Sequence, residues 1–463
     1  MTTTTGTAPD TVHAETYKFL EGNFAPVSDE VTITDLRVDG AIPETLTGRY
    51  LRNGPNPIAA DPGNHHWFVG DGMLHGLRLR DGEAEWYRNR WVRTPHITDE
   101  LGEEPVPVDL TALGAGPGNT NVVHHAGSIW ALCELFSPFE MSPELDTIRS
   151  SNFGGLAAGM TAHPKFDPIT GELHVMAYSF EEPYLRYHVI DSTGRITRTD
   201  EVGVAGPVMV HDMALTQTYA IAFDLPVVFN LEAAMAGRSL PYRWDPDYTP
   251  RVGLVPRAGT AAETIWVDLD EACYVYHPLN AYDDGDSVVV DLVVHPRAFD
   301  DAEHGDPAQG QSTLQRWTVG PESFTRQIID DRGQEFPRAD ERLATERHRY
   351  GYVVGADVDD LAGGPVDKEV SLLKHDVQAG TSTEHDFGAG RVPGEFVFVP
   401  ASDTAGEDEG WVLGYVHDHT TGTAALEILD ATDMAAAPVA TVEIPARIPV
   451  GFHGNWIPDS ALG

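Results

Sequence analysis

Short runs of β-forming residues recur along the whole chain, and each is cut off by a turn signal. Residues 31–36, 76–79, 85–93, 129–132, 173–179, 219–223, 288–294, 369–373, 395–399, 411–416 and 425–429 read this way. Asp81-Gly82, Thr170-Gly171, Ser192-Thr193-Gly194, Asp284-Gly285 and Thr421-Gly422 punctuate them, and such residues tolerate the backbone that tight turns require. With 45 Gly and 33 Pro there is little room for long helices. The pattern predicts an all-β fold, as a sandwich, a barrel or a propeller. At 463 residues the chain exceeds what one hydrophobic core serves. A propeller fits best, because it adds four-stranded blades around an axis without a thick core. Seven blades would take about 66 residues each, against the ~40–45 of a compact blade, so long loops are expected on one face. No clean internal repeat gives the blade count. Residues 1 to about 30 read as a polar arm, and 31–463 as a single domain. The acidic stretches 300–310 and 402–410 read as surface insertions.

The formal charge of −42, from 72 acidic and 30 basic residues, repels nucleic acid and anionic lipid and suits an uncharged substrate or a cation. Cys133 and Cys273 are the only cysteines, so no disulfide framework is expected, as in a reducing cytoplasm. The first residues lack the basic and apolar regions of a signal peptide. No apolar run approaches the ~20 residues that span a bilayer. A soluble, cytoplasmic protein is the expectation.

Near the chain end, Ile448-Pro449-Val450-Gly451-Phe452-His453-Gly454 is apolar and rigid where a terminus is usually polar and frayed. It reads as a closing strand that delivers His453 to the centre. His163, His211 and His277 sit in similarly apolar settings. Four neutral imidazoles leave a divalent ion its full charge and leave coordination positions open to dioxygen. Their separations of 48, 66 and 176 residues exclude a local metal finger and require convergence from distant segments. Spacing alone also accommodates structural, hydrogen-bonded histidines. His65-His66 and His124-His125 would point to opposite faces of a strand. His417 and His419 share a face but read as a surface turn. Both cysteines read as small buried hydrophobes. There is no phosphate loop and no G-x-S-x-G elbow.

Nine segments, in order across residues 46 to 456, carry a resemblance. They are Gly48-Arg49-Tyr50-Leu51-Arg52-Asn53-Gly54-Pro55-Asn56-Pro57, Trp67-Phe68-Val69-Gly70-Asp71-Gly72-Met73-Leu74-His75, Arg88-Asn89-Arg90-Trp91-Val92-Arg93-Thr94, Asn119-Thr120-Asn121-Val122, Thr161-Ala162-His163-Pro164, His211-Asp212, His277-Pro278-Leu279-Asn280-Ala281-Tyr282, Glu335-Phe336-Pro337-Arg338 and Phe452-His453-Gly454. The chain resembles the carotenoid cleavage oxygenases, a family that includes apocarotenoid oxygenases, stilbene-cleaving dioxygenases and the retinoid isomerase of the eye. The resemblance implies a seven-bladed β-propeller with long loops forming a dome over the iron-bearing face. It implies Fe(II) held by His163, His211, His277 and His453, with Glu134, Glu335 and Glu395 behind three of them. A carboxylate on the second ring nitrogen fixes tautomer and orientation and raises ligand basicity. Thr120 matches the family residue that faces a vacant iron position; by residue type alone it is equally a strand threonine.

The implied reaction is cleavage of a C=C bond in a conjugated apolar substrate by O2, giving two carbonyl products. Stilbene-cleaving relatives are similar in carrying a Lys just before the first of these glutamates and a Tyr upstream of it. Here Cys133 stands before Glu134, and 94–133 contains neither Lys nor Tyr. An apocarotenoid or carotenoid is therefore preferred, with stilbenes or phenylpropenoids as the alternative. Isomerisation without oxygen and a non-enzymatic propeller binding a partner are the remaining readings. The nearly uncharged stretch 225–244 reads either as an apolar patch making at most weak peripheral membrane contact or as a buried lid.

Overall fold

A computed structural model of the chain describes residues 18–111, 113–156, 159–300, 307–356 and 370–462. Its strands form a seven-bladed β-propeller of antiparallel sheets, with a further two-stranded hairpin. Four blades after the first are simple meanders. The second, for example, runs Asn121–His125, Ser128–Leu132, Phe139–Met141 and Thr147–Ser150. The first strands touch their neighbours in adjacent blades, as Ala214–Leu215 does Pro278–Asp284, and Val397–Pro400 does Gly454–Pro458. This contact ring places them around the axis.

A blade's middle strands are covered on both faces by neighbouring blades, so they are apolar throughout instead of alternating. Ser287–Val294 carries five valines and a leucine, with Asp291 as its buried polar residue. Asp291 is gripped by both arms of Arg316, at 2.7 Å each. The outermost strand of that blade, Ser323–Asp330, is largely exposed. At Asp81-Gly82 both residues take positive φ, 53° and 76°, the two-residue hairpin turn that matches strand twist.

Both chain ends close the ring. Gly454–Pro458 pairs antiparallel with Gly48–Pro55 in the first blade, and Arg37–Gly40 pairs with Ala440–Ile444 in the last. The expected strand over 31–36 is instead two pieces, Thr32–Ile33 and Arg37–Gly40, which join different blades. The run over 395–399 starts as a strand only at Val397, leaving Glu395 in a break between Arg391–Pro393 and Val397–Pro400. Two short α-helices are present among the described residues, Pro95–Leu101 and Leu231–Met235.

The first 17 residues of the expected N-terminal arm, and 301–306 of the acidic insertion, lie outside the described residues. Farther along the arm, Phe19 and Asn23 are buried, Phe19 stacking on Trp67. Stretch 225–244 folds as the hairpin Val227–Phe229 and Tyr242–Trp244 with Leu231–Met235 at its tip. Its base is buried; Leu231 and Met235 at the tip are 65% and 81% exposed. The stretch therefore combines a buried base with an exposed apolar tip.

Candidate active site

Each of the four histidines sits at the axial start of a blade's first strand. His277 immediately precedes Pro278–Asp284, and His453 immediately precedes Gly454–Pro458; His163 and His211 lie just upstream of Lys165–Phe166 and Ala214–Leu215. One ring nitrogen from each lies within 4.8 Å of all the others. His163 Nε2 is 3.0 Å from His211 Nε2, which is 3.3 Å from His277 Nε2.

Three carboxylates face the opposite sides of these rings. Glu134 meets His211 Nδ1 at 2.6 Å, Glu335 meets His277 Nδ1 at 2.6 Å, and Glu395 meets His453 Nδ1 at 3.1 Å. Each accepts the Nδ1–H, so the Nε2 atoms turn lone pairs inward. His163 has no such partner: Asp212 is 4.0 Å from its Nδ1 and instead binds Lys165 at 2.8 Å. With both rings neutral, His211 and His277 point unprotonated nitrogens at each other across 3.3 Å, an arrangement that a shared cation relieves. A metal–nitrogen bond of about 2.0–2.1 Å puts adjacent nitrogens of an octahedral set about 3 Å apart. The donor set fits a divalent ion.

Burial favours neutral rings at His163 and His277, beside ionised carboxylates. Burial, then the charges of the other three histidines, holds His163 well below its ordinary value. Burial also lowers His277, to about 4, despite Glu335. For His211, burial is outweighed by Glu134, and the ring is raised. Burial disfavours the Glu395 anion, but Arg338 and then His453 bring its value down to about 2. Glu134 and Glu335 are likewise lowered against burial, each by its own histidine.

The sequence reading did not assign roles to two further residues. His295 Nε2 binds the second oxygen of Glu335 at 2.8 Å. It follows two valines and precedes a proline, and it shares the His-Pro pair of His163 and His277, which was a visible signal. Arg338 reaches Glu395 at 3.2 Å and the Gly454 carbonyl at 2.9 Å. Thr120 precedes the strand Asn121–His125 and is buried. Its hydroxyl donates to Asn119 Oδ1 at 3.0 Å, and its carbonyl accepts the His453 N–H at 3.3 Å. His124 and His125 diverge as expected, His125 going to the Asp191 carbonyl. His417 corrects the surface-turn reading, because the strand Gly410–Asp418 runs through it and buries it. Burial pushes both cysteine thiols up to about 12, so they remain protonated.

Two cavities reach the imidazole cluster. On one side, about 520 Å³ is walled by Trp67, Phe68, Phe136, Tyr276 and Phe452 and reaches Thr120, His211, His277 and His453. On the other, a cavity of about 190 Å³ with a mixed wall, in which Lys165, Arg338, Asp340 and Glu341 stand among apolar residues such as Leu215 and Leu279, reaches His163, His277 and His453. The larger, aromatic-walled cavity is the better fit for an apolar molecule.

Residues 24–458 match the family model described as retinal pigment epithelial membrane protein. The chain is 42% identical to a carotenoid cleavage oxygenase of Mycobacterium tuberculosis, over 95% of this chain and 97% of that one. It is 32% identical to carotenoid 9,10(9',10')-cleavage dioxygenase 1 of Arabidopsis thaliana, over 96% and 90%. Among solved structures it is similar to the lignostilbene dioxygenase of Pseudomonas brassicacearum, with a TM-score of 0.84, 27% identity and 98% and 100% coverage. It is also similar to a cobalt-substituted Synechocystis ACO, with a TM-score of 0.81, 25% identity and 95% and 98% coverage. The family model spans residues 24–458 and the relatives match over 90% or more of both chains, so the protein belongs to the carotenoid cleavage oxygenase family as a dioxygenase.

Proposed function

We propose that His163, His211, His277 and His453 hold Fe(II), and that the enzyme uses O2 to cleave one C=C bond of an apocarotenoid or carotenoid into two carbonyl products. The observation that carries this reading is the set of tautomer-fixed Nε2 atoms opening into an apolar cavity of about 520 Å³. The bound iron would supply dioxygen activation. Glu134, Glu335 and Glu395 hold the rings and return negative charge without occupying a ligand position. Thr120 spends its hydroxyl on Asn119 and its carbonyl on His453, so it anchors the last ligand and adds its side chain to the cavity wall. The aromatic walls align the conjugated chain and exclude water, which fixes the bond presented to the site. Alkene and dioxygen balance to two carbonyls, so no general acid or base is required.

The exposed Leu231 and Met235 stand on the hairpin whose Phe229, Leu240 and Tyr242 line the same cavity. We read this tip as a weak membrane contact for lipophilic substrate, limited by the −42 charge. A stilbene is the second reading, favoured by the Tyr178 and Tyr242 hydroxyl groups in the cavity and by the lignostilbene dioxygenase likeness. The test is anaerobic iron loading, then 18-O-labelled dioxygen with a panel of apocarotenals and a hydroxystilbene, with products identified by mass. Labelled aldehydes from apocarotenals are expected. Cleavage of the stilbene alone overturns the substrate, and geometric isomers without label overturn the reaction.

A further inference from the structure

Four buried polar atoms without a hydrogen-bond partner among the described residues belong to residues lining one small cavity with no acidic side chain in its wall. The atoms are Asn23 Oδ1, Arg52 Nε, Trp67 Nε1 and His417 Nδ1. The residues are 9%, 4%, 3% and 6% exposed, and all four line a cavity of about 40 Å³. They come from separate parts of the chain: the turn Gly22–Phe24, the strand Gly48–Pro55, the loop after it and the strand Gly410–Asp418. Side chains such as Phe336 and Val450 complete a wall that offers no acidic group.

Charge balance makes the cavity unusual. Arg52 spends Nη2 on the Pro449 carbonyl at 2.5 Å. Among the described residues it pairs with no carboxylate, although the chain has 72 acidic residues against 30 basic ones. The other buried arginines do pair: Arg49 with Asp459 at 3.0 Å and Arg78 with Asp459 at 2.6 Å. Arg447, next to the cavity, likewise binds only backbone, at the Asn23 and Pro26 carbonyls. A guanidinium keeps its proton in proteins, and a buried charge without a counter-charge is strongly unfavourable. No carboxylate among the described residues supplies the counter-charge.

We propose that this cavity binds a halide-sized monovalent anion, chloride under cellular conditions. Arg52 Nε–H and Trp67 Nε1–H are obligate donors; His417 can carry its proton on Nδ1, and the Asn23 amide can turn its NH2 inward. A cavity of this size admits a monatomic ion with at most a water or two, because a single water needs about 10–15 Å³. The anion would link the N-terminal turn, the first and last blades, and residues 448–451, which lead into His453. Val450 N–H already donates to the Asn23 carbonyl at 2.9 Å. Gly451 makes room for the guanidinium, since a Cβ there would stand 2.7 Å from Arg52 Cζ. The site is thus a counter-ion clamp under the segment that carries the last histidine, and it stands independently of which metal or substrate the enzyme uses.

The test uses the purified full chain. Crystals grown in sodium bromide should show an anomalous peak inside the cavity, in contact with Arg52 Nε and Trp67 Nε1. In solution, replacing gluconate by chloride at constant ionic strength should raise Tm by a few degrees and saturate. His417→Leu should move the chloride midpoint upward by roughly tenfold, the loss of one charge-assisted contact. Water density with no anomalous signal in the cavity overturns the proposal. So does a chloride response that is absent in the wild-type chain or unchanged in His417→Leu. Arg52→Met should abolish the response; if that variant does not fold, the bromide map and His417→Leu still decide.

Discussion

A glutamate behind a histidine does more here than orient a ring, because it also decides where the proton is absent. Glu335 takes the Nδ1–H of His277 at 2.6 Å and the Nε2–H of His295 at 2.8 Å. Glu335→Gln keeps the volume and removes the charge. Iron or cobalt affinity should then fall about 10–100-fold, as measured by metal titration, while circular dichroism stays unchanged; retained affinity would refute the role assigned to Glu335. Gly414 tests the packing around the backbone of Glu395. A Cβ there would lie 2.5 Å from the Phe396 ring and 2.7 Å from the Glu395 carbonyl, so Gly414→Ala should cost about 1–3 kcal/mol by overpacking, seen as a lower Tm. At this scale the sequence was informative where a polar residue interrupts an apolar run, as at His163, His211, His277 and His453. It misled at His417, where the turn residues that follow suggested a surface position while the strand continued to Asp418.

The unit that repeats is a position, not a residue. The axial starts of the blades' first strands carry His453, Thr120, His163, His211, His277, Glu335 and, in a break beside the strand, Glu395. Some of those strands are only two residues long, such as Lys165–Phe166 and Ala214–Leu215. That explains why blade number was not legible from the sequence: a pattern search finds neither a shared residue type nor a first strand long enough to alternate. The long middle strands were legible because burial on both faces leaves them continuously apolar. The hairpin over the cavity yields a prediction of its own. Leu231→Glu with Met235→Glu should reduce cosedimentation with neutral vesicles and slow turnover of vesicle-borne substrate, with turnover in detergent changed little. Unaltered cosedimentation would leave the hairpin as a lid alone.

Across the whole molecule, uncharged histidines buried within blades set the response to acid. Burial, more than any neighbouring charge, holds His174 at about 3 and His188 and His375 at about 4, against an ordinary value near 6.5. Between those limits the unfolded chain binds protons that the folded chain refuses, so stability falls as pH drops from about 6.5 towards 4. The urea midpoint at pH 5 should be below that at pH 7.5, and His188→Gln should flatten the slope. An unchanged midpoint would contradict the assigned protonation states. The pairing of the final strand with Gly48–Pro55 also has a consequence during synthesis. Until Gly454–Pro458 has left the ribosome, the nascent chain holds an incomplete circle and His453 cannot join the other three imidazoles, so the cluster cannot assemble on a half-made protein.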